Sequence, residues 1–421
     1  MFENIIGYES IKRELSIVVD MFRNSEKYDR IGAQYINGVL LYGAPGTGKT
    51  TLVKDMIEAC GVTTYMLRKD KSNDDFIDTI RETFEMAKEN APSIVFMDDM
   101  DKFADEDNMY SEEYTVVQSC IDEVKGYKVL ALATVNEPDR LPRSLTRVGR
   151  FDKTIKVGNP GRDDSEKIVK HYLSMRGCDD SVDYKEVARL LDGQSCATLE
   201  SIINEASIMA AFDNREKVDN QDIINATLNV IYNTPVSVNS TEEQSDPTIA
   251  YHEAGHAVVA EILEPGSVNI ISTADRSGSD VGGFTSYQQS EKYFNSMDYM
   301  ENRVMCLLGG KAANDIVFGI NDVGCNDDLH RAYDIVKRFV DDYCSYGFHS
   351  WEGIPSRDSS EELKNKKETL VSFEMEKYYQ KVKKILIENR RFLDMLAERL
   401  GKDRLITYHT VQEIKNECYQ N

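Results

Sequence analysis

The run Gly43-Ala44-Pro45-Gly46-Thr47-Gly48-Lys49-Thr50 has glycines, a lysine and a hydroxyl at the spacing of a phosphate-binding loop. The glycines let backbone N–H groups close around a β-phosphate, Lys49 can reach the β- and γ-phosphates, and the Thr50 hydroxyl can ligate Mg²⁺. Gly43, Pro45, Gly46, Thr47, Gly48, Lys49, Thr50 and Thr51 are therefore the residues expected to hold a nucleotide. A second run, His252-Glu253-Ala254-Gly255-His256, places two imidazoles at i and i+4, on one helix face, where they can hold one Zn²⁺. Glu253 lies one residue on, close enough to take the proton of a water attacking a carbonyl at that metal. A catalytic zinc needs a third protein ligand and an open position for water, and His330, Asp327, Asp328, Glu261 and the more distant histidines are the candidates.

The elements that must position these groups are legible as patterns. Gly38–Tyr42 is an apolar strand leading into the loop. Thr51–Cys60 is a helix stopped by Gly61, and its N-terminal dipole adds to the anion site. Three more strands, Thr63–Leu67, Ser93–Met97 and Lys128–Thr134, are separated by helical patterns, which suits a parallel sheet covered on both faces. Ser93–Met97 ends in Asp98-Asp99, where one carboxylate, Asp98, can serve Mg²⁺ and a second, Asp99, can polarise the attacking water. Asn159–Tyr232 reads as all helical, with apolar spacing in Ile168, Val169, Tyr172 and Leu173 and again in Leu199, Ile202, Ile203 and Ala206. A polar, proline-containing linker, Asn233–Pro247, then leads to the helical stretch Thr248–Leu263 that carries the two histidines. Downstream, Leu329–Tyr343 is a helix opened by Asp328, and Ser360–Leu400 reads as one long helical stretch. Val268–Ser272 and Gly282–Ser286 are short β candidates, and an edge strand there could pair with an extended substrate backbone.

Composition bounds the partners. The chain has 421 residues and a formal net charge of −23. A grip on phosphate backbones needs a basic stripe, so no nucleic-acid partner is expected. The nearest basic run, Lys364 to Lys367, is flanked by Glu361, Glu362 and Glu368 and reads as a solvated helix face. Apolar runs such as Val129–Ala133 and Ala257–Ala260 fall far short of the roughly 20 residues that cross a bilayer, so no intrinsic membrane segment is expected. Glu3 and Glu9 stand where a secretory signal would be basic and then apolar, and the 8 cysteines show no Cys-x-x-Cys spacing, so a reducing, cytoplasmic setting is expected. With 41% hydrophobic and 29% charged residues the composition is that of folded domains.

From Phe2 through Asp152 the chain resembles the ATPase domain of the AAA+ family, and in detail the FtsH-type membrane proteases. The resemblance is carried by Tyr28-Asp29-Arg30-Ile31-Gly32-Ala33, by Gly38 to Tyr42 with the phosphate loop, by Ala91-Pro92-Ser93 and by Arg147-Val148-Gly149-Arg150-Phe151-Asp152. It continues to about Glu417 in the family's order of ATPase, lid and peptidase. The implied architecture is an α/β P-loop AAA+ domain (parallel sheet covered by helices, 1–158), a small helical lid (159–232), a linker (233–247) and a mostly α-helical zinc metallopeptidase domain (248–421). The resemblance also implies that Asn136 senses the γ-phosphate. Arg147 and Arg150 would act as arginine fingers on a neighbouring subunit's ATP, which requires a ring, a homohexamer in this family. The family completes its zinc site with the aspartate of an Asn-Asp-Leu word. Aligned through Leu329 and Arg331-Ala332, that ligand is Asp328, with Asp327 in place of the asparagine and His330 as the rival. The implied activity is ATP-dependent zinc endopeptidase action on polypeptides, using ATP, Mg²⁺ and one Zn²⁺ per chain. An ATP-switched peptidase that does not thread folded substrates and a non-proteolytic AAA+ remodeller are the competing readings.

Several departures from the family pattern bear on mechanism. The family's N-terminal membrane segments have no counterpart, so a membrane role would need an adaptor or membrane partner. Asp99 stands where the family has glutamate, one methylene shorter, which predicts slow ATP turnover. The family's aromatic pore loop is replaced by Arg68-Lys69-Asp70-Lys71-Ser72-Asn73-Asp74-Asp75, leaving Phe76 and Tyr65 as the only aromatics to substitute. A charged loop cannot grip a chain by packing as an aromatic does. Thr198 replaces the acidic residue of the lid's Ser-Gly-Ala-Asp-Leu word, and Asn314-Asp315 replaces a glutamate pair near the zinc, which would alter the ligands' outer shell.

Overall fold

The computed structural model describes residues 2–69, 73–104, 111–147, 149–233, 246–273, 282–288, 296–321, 323–343, 345–347 and 361–419. Asp70, Lys71 and Ser72 of the charged interval, Val148, residues 234–245 of the linker, Cys344 and Ser360 lie outside them. The chain forms two units, Met1–Ile223 and Ile224–Asn421.

In the first unit, α1 (Glu9–Arg23) and α2 (Ser25–Asp29) precede β1 (Gly38–Tyr42), α3 (Lys49–Cys60), β2 (Thr63–Leu67), α4 (Asn73–Glu89), β3 (Ser93–Met97), α5 (Glu112–Glu123), β4 (Val129–Val135) and β5 (Lys153–Lys156). The strands make a parallel sheet in the order β2-β3-β4-β1-β5. Every residue of β3 and β4 is buried because both faces are covered, and alternate side chains serve opposite layers. Val39, Leu41, Ile94, Phe96, Leu130 and Leu132 pack with α1 and α3, while Leu40, Val95, Met97, Ala131 and Ala133 pack with α4 and α5. The last strand of the sheet, β5, is not apparent from the sequence: Lys-Thr-Ile-Lys buries only Ile155 and is strand because it borders β1. Three helices follow, α6 (Arg162–Ser174), α7 (Tyr184–Leu190) and α8 (Cys196–Phe212), and the division between the two units falls within α9 (Asn220–Tyr232). Ser195 caps α8 by accepting from the Thr198 N–H, so a backbone donor meets a hydroxyl at the departure from the family word.

Phe76 does not supply a pore aromatic. It is fully buried in α4, edge-on to Phe103 with ring centroids 4.9 Å apart, and Tyr65 packs against the same core. The helical period of α4 turns Phe76, Ile77, Ile80 and Phe84 inward together.

The second unit is helical around a small sheet. It contains α10 (Pro247–Leu263), β6 (Val268–Ser272), β7 (Phe284–Tyr287), α11 (Met297–Leu307), α12 (Gly309–Phe318), α13 (Asn326–Asp341), α14 (Glu361–Glu388), α15 (Arg390–Asp403), β8 (Leu405–Thr407) and α16 (Tyr408–Tyr419). The sheet is antiparallel in the order β7-β6-β8. The run read as one helix to Leu400 is two, α14 and α15, broken at Asn389. Apolar residues surround α10 on all sides, as expected of a central helix, and Val258, Val259, Val336, Phe339, Tyr378, Phe392 and Leu396 form the core around it. Glu261 holds this core together. Its fully buried carboxylate accepts from the Gly266 and Val268 N–H groups, from Gln412 and from Lys415 at 2.9 to 3.0 Å, tying α16 to α10. No helix among the described residues is long and apolar enough to cross a membrane.

Candidate functional site

The phosphate loop leaves the C-terminal end of β1 and turns into α3, and the carboxylates of Asp98 and Asp99 follow the end of β3, on the sheet edge where parallel α/β folds bind ligands. A cavity of ≈ 820 Å³ opens there, lined by Pro45, Gly46, Gly48, Lys49, Thr50, Thr51, Asp99 and Asn136 among others. Lys49 donates to the Gly43 and Ala44 carbonyls at 2.8 and 2.9 Å, and the Thr47 hydroxyl to Ala44 at 3.0 Å. Burial lowers the pKa of Lys49 against the pull of Asp99, Asp101 and Asp98. Thr50 and Asp98 meet at 3.1 Å, which gathers the two groups expected at Mg²⁺. Asp98 also accepts from Thr134 at 2.7 Å and pairs with Arg68, and although burial works the other way, these partners hold its carboxyl below the usual range.

Asp99, at φ 52, accepts from the Asn136 amide at 3.2 Å and from Lys102 at 2.7 Å, so the second carboxylate and the sensor candidate are in contact. Asp101 is a member that sequence reasoning missed. Buried beneath the cavity, it accepts from the backbone N–H groups of Asn136 and Glu137, both at 3.2 Å, and so holds the turn that carries the sensor. Of the two finger candidates, Arg147 is exposed. Arg150 is held within its own chain by Asp122, Gln118 and the Ser144 carbonyl.

The other centre is built from α10, α12 and α13. His252 and His256 present their Nε2 atoms 3.0 Å apart, and Asp328 Oδ2 lies 3.4 and 3.1 Å from them. Asp328 sits in the first turn of α13, two residues inside its start rather than at the N-cap, where the helix dipole favours a carboxylate. Among the described residues these three form the one cluster of three or more His, Cys, Asp or Glu side chains that could hold a metal ion. Asp327 and His330 are exposed on the same helix, and Glu261 is committed to α16. His256 Nδ1 lies 2.7 Å from the Cys306 carbonyl, which can only accept, so Nδ1 carries the proton and Nε2 offers its lone pair. The His256 lone pair, the His252 Nε2 atom and a carboxylate oxygen converge within 3.4 Å, an arrangement that a cation can join. The separations approach the roughly 3.4 Å between donors about 2.1 Å from a tetrahedral ion, so the donor set fits zinc. Burial opposes ionisation of Asp328, yet the imidazoles of His256 and His252 hold its carboxyl well below the usual range.

Glycine makes the approach of α12 possible: a Cβ at Gly310 would lie 2.5 Å from the His252 ring, and one at Gly255 2.5 Å from the Gly309 carbonyl. Glu253 is buried between α10 and β7, where its Oε2 accepts from the Thr285 hydroxyl at 2.7 Å. Burial raises its pKa, against the His256 and His252 imidazoles and the Thr285 hydrogen bond. The Cys306 carbonyl, Gly283 and Thr285 carry no motif of their own and are brought to the site by tertiary pairing.

Models of three families match successive parts of the chain: the ATPase family associated with various cellular activities (AAA) over residues 39–159, the AAA+ lid domain over 181–225, and peptidase family M41 over 239–414. The ATP-dependent zinc metalloprotease FtsH 4 of Sphaerobacter thermophilus is 31% identical over 442 residues, spanning 98% of this chain and 67% of the relative. FtsH 2 of Symbiobacterium thermophilum is 30% identical over 96% of this chain and 73% of its own length. The chain belongs to the FtsH family of ATP-dependent zinc metalloproteases. A further FtsH 2, from Thermoanaerobacter sp., is 29% identical over 99% of this chain and 83% of the relative. As an FtsH-type chain it pairs an AAA ATPase with an M41 peptidase, and its cofactors are Zn²⁺, ATP and Mg²⁺.

Proposed function

We propose that His252, His256 and Asp328 hold the zinc, that Glu253 is the general base of peptide hydrolysis, and that the nucleotide site works through Lys49, Thr50, Asp98, Asp99 and Asn136. The observation that carries this reading is the convergence of two imidazole Nε2 atoms and one carboxylate oxygen beside a buried glutamate. Zinc bound there supplies Lewis-acid polarisation of water and of the scissile carbonyl. Glu253 takes the proton from the attacking water and passes it to the leaving amine, and its neighbours fix the direction of that transfer. At the other centre Lys49 neutralises the phosphates, Thr50 and Asp98 hold Mg²⁺, and Asp99 with Asn136 orients the attacking water.

The working assembly is a homohexamer, with the segments 1–158, 159–232, 233–247 and 248–421 as ATPase, lid, linker and peptidase. Arg147 acts across subunits, and Arg150 does so on exchanging its Asp122 and Gln118 partners for a neighbour's nucleotide; substrates are polypeptides, and the setting is the cytoplasm or a membrane surface reached through a partner. Phe76, buried in α4, favours a form of this activity in which ATP organises the ring without threading folded chains. Digestion of casein and of a tightly folded substrate, each with ATP, a non-hydrolysable analogue or no nucleotide, tests both readings. Destruction of the folded substrate only with ATP supports threading. Casein digestion with either nucleotide, with the folded substrate intact, supports the switch. No cleavage by zinc-replete protein under any condition overturns both.

A further inference from the structure

We propose that Thr285 is the positioning residue of the general base: its hydroxyl pins one carboxylate oxygen of Glu253, leaving the other to receive the proton of the attacking water. The proposal rests on the zinc-peptidase reading. The Thr285 Oγ1 atom lies 2.7 Å from Glu253 Oε2 and 3.1 Å from the Glu253 backbone oxygen, so the shorter bond is to the carboxylate. Thr285 belongs to β7, where it pairs with Ile271 of β6, and its β-branched side chain has few rotamers, so the strand backbone sets the direction of the hydroxyl. Gly283, two residues earlier, completes the seat: a Cβ there would come within 2.9 Å of both Cγ and Oε1 of Glu253. The free oxygen therefore has room only because residue 283 lacks a side chain. A glutamate held only by its own rotamers would sample several directions, and a fixed donor removes that freedom before substrate arrives.

Thr285→Val keeps the shape and removes the hydroxyl, whereas Thr285→Ser keeps the hydroxyl. Both are made in the full chain, loaded with zinc. For a fluorogenic peptide, Thr285→Val is expected to lower kcat by about 10- to 100-fold with KM nearly unchanged, as for loss of a hydrogen bond to a charged group. Zinc content and ATPase rate should stay at wild-type levels, and Thr285→Ser should recover kcat to within about three-fold. Acetohydroxamate, a zinc chelator that hydrogen-bonds the base through its hydroxyl, provides a readout apart from turnover. Its affinity should fall in Thr285→Val and be kept in Thr285→Ser. Wild-type kcat and hydroxamate affinity in Thr285→Val overturn the proposal, as does a Thr285→Val protein that has lost its zinc, because the role is then structural. Glu253→Gln separates the two failures. Cleavage that survives it sinks the peptidase reading, whereas an inactive Glu253→Gln beside a fully active Thr285→Val sinks only the role of Thr285.

Discussion

The metal centre and the phosphate loop are held in opposite ways. At the metal centre three donor atoms converge within 3.4 Å, on helices packed so closely that glycine is required beneath His252, and His256 is aimed by a backbone carbonyl. Around the phosphate loop the charged groups are engaged with protein partners that bound Mg²⁺ and nucleotide would compete with: Lys49 with two carbonyls, Asp98 with Arg68 and Asp99 with Lys102. One centre is assembled by packing, the other by exchange of partners. Substitutions that disturb the packing of the first should therefore cause large losses, and removal of a competing partner at the second a smaller shift.

The largest effect is expected at Asp328, where loss of the proposed carboxylate ligand leaves only the two imidazoles to hold the ion. Asp328→Ala should leave purified protein with little zinc by atomic absorption and no peptidase activity, and near-full zinc occupancy would break the contrast. Next is Gly310→Ala, a change of one methyl group. Because the Cβ would fall 2.5 Å from the His252 ring, zinc affinity should drop at least about ten-fold in a chelator competition, comparable to other changes that misorient a ligand. Unchanged affinity would mean that α12 can shift and that the centre is less rigid than its packing implies. The smallest effect is expected at Arg68, whose side chain is 62% exposed beside Asp98. Arg68→Ala frees that carboxylate and should tighten Mg²⁺-dependent binding of a fluorescent ATP analogue roughly three-fold, with no change when Mg²⁺ is chelated. A loss of binding would show that Arg68 supports the site rather than competing at it.

The same contrast explains what the sequence discloses. The phosphate loop and the His-Glu-x-x-His run are legible because their chemistry demands contiguous residues on one turn or one helix face. Asp328 lies 72 residues beyond His256 and is reached through family resemblance rather than spacing, and the structure joins them through α13. Thr285, Gly283 and the Cys306 carbonyl were not legible, since a threonine in a short strand looks the same whether it meets water or a glutamate 32 residues away. The strands β5 and β8 escaped for a related reason: four residues with only Ile155 apolar, and three residues in all, are strand only by virtue of the neighbours they pair with. Apolar spacing continues from Ile385 and Leu386 to Phe392 across the break at Asn389, so periodicity alone joined α14 to α15. Phe76 is the converse case, an aromatic considered for substrate grip that its own helical period assigns to the core.

The claim that the two centres are chemically separate, with Glu253 as base of the preassembled one, is tested most directly by measuring both activities in Glu253→Gln. The substitution is nearly isosteric and leaves His252, His256 and Asp328 untouched. Zinc content and ATPase rate should match the unsubstituted protein, while casein cleavage should fall by at least about a thousand-fold, the scale expected when a general base is removed. Cleavage persisting within about ten-fold of the unsubstituted rate would contradict the account.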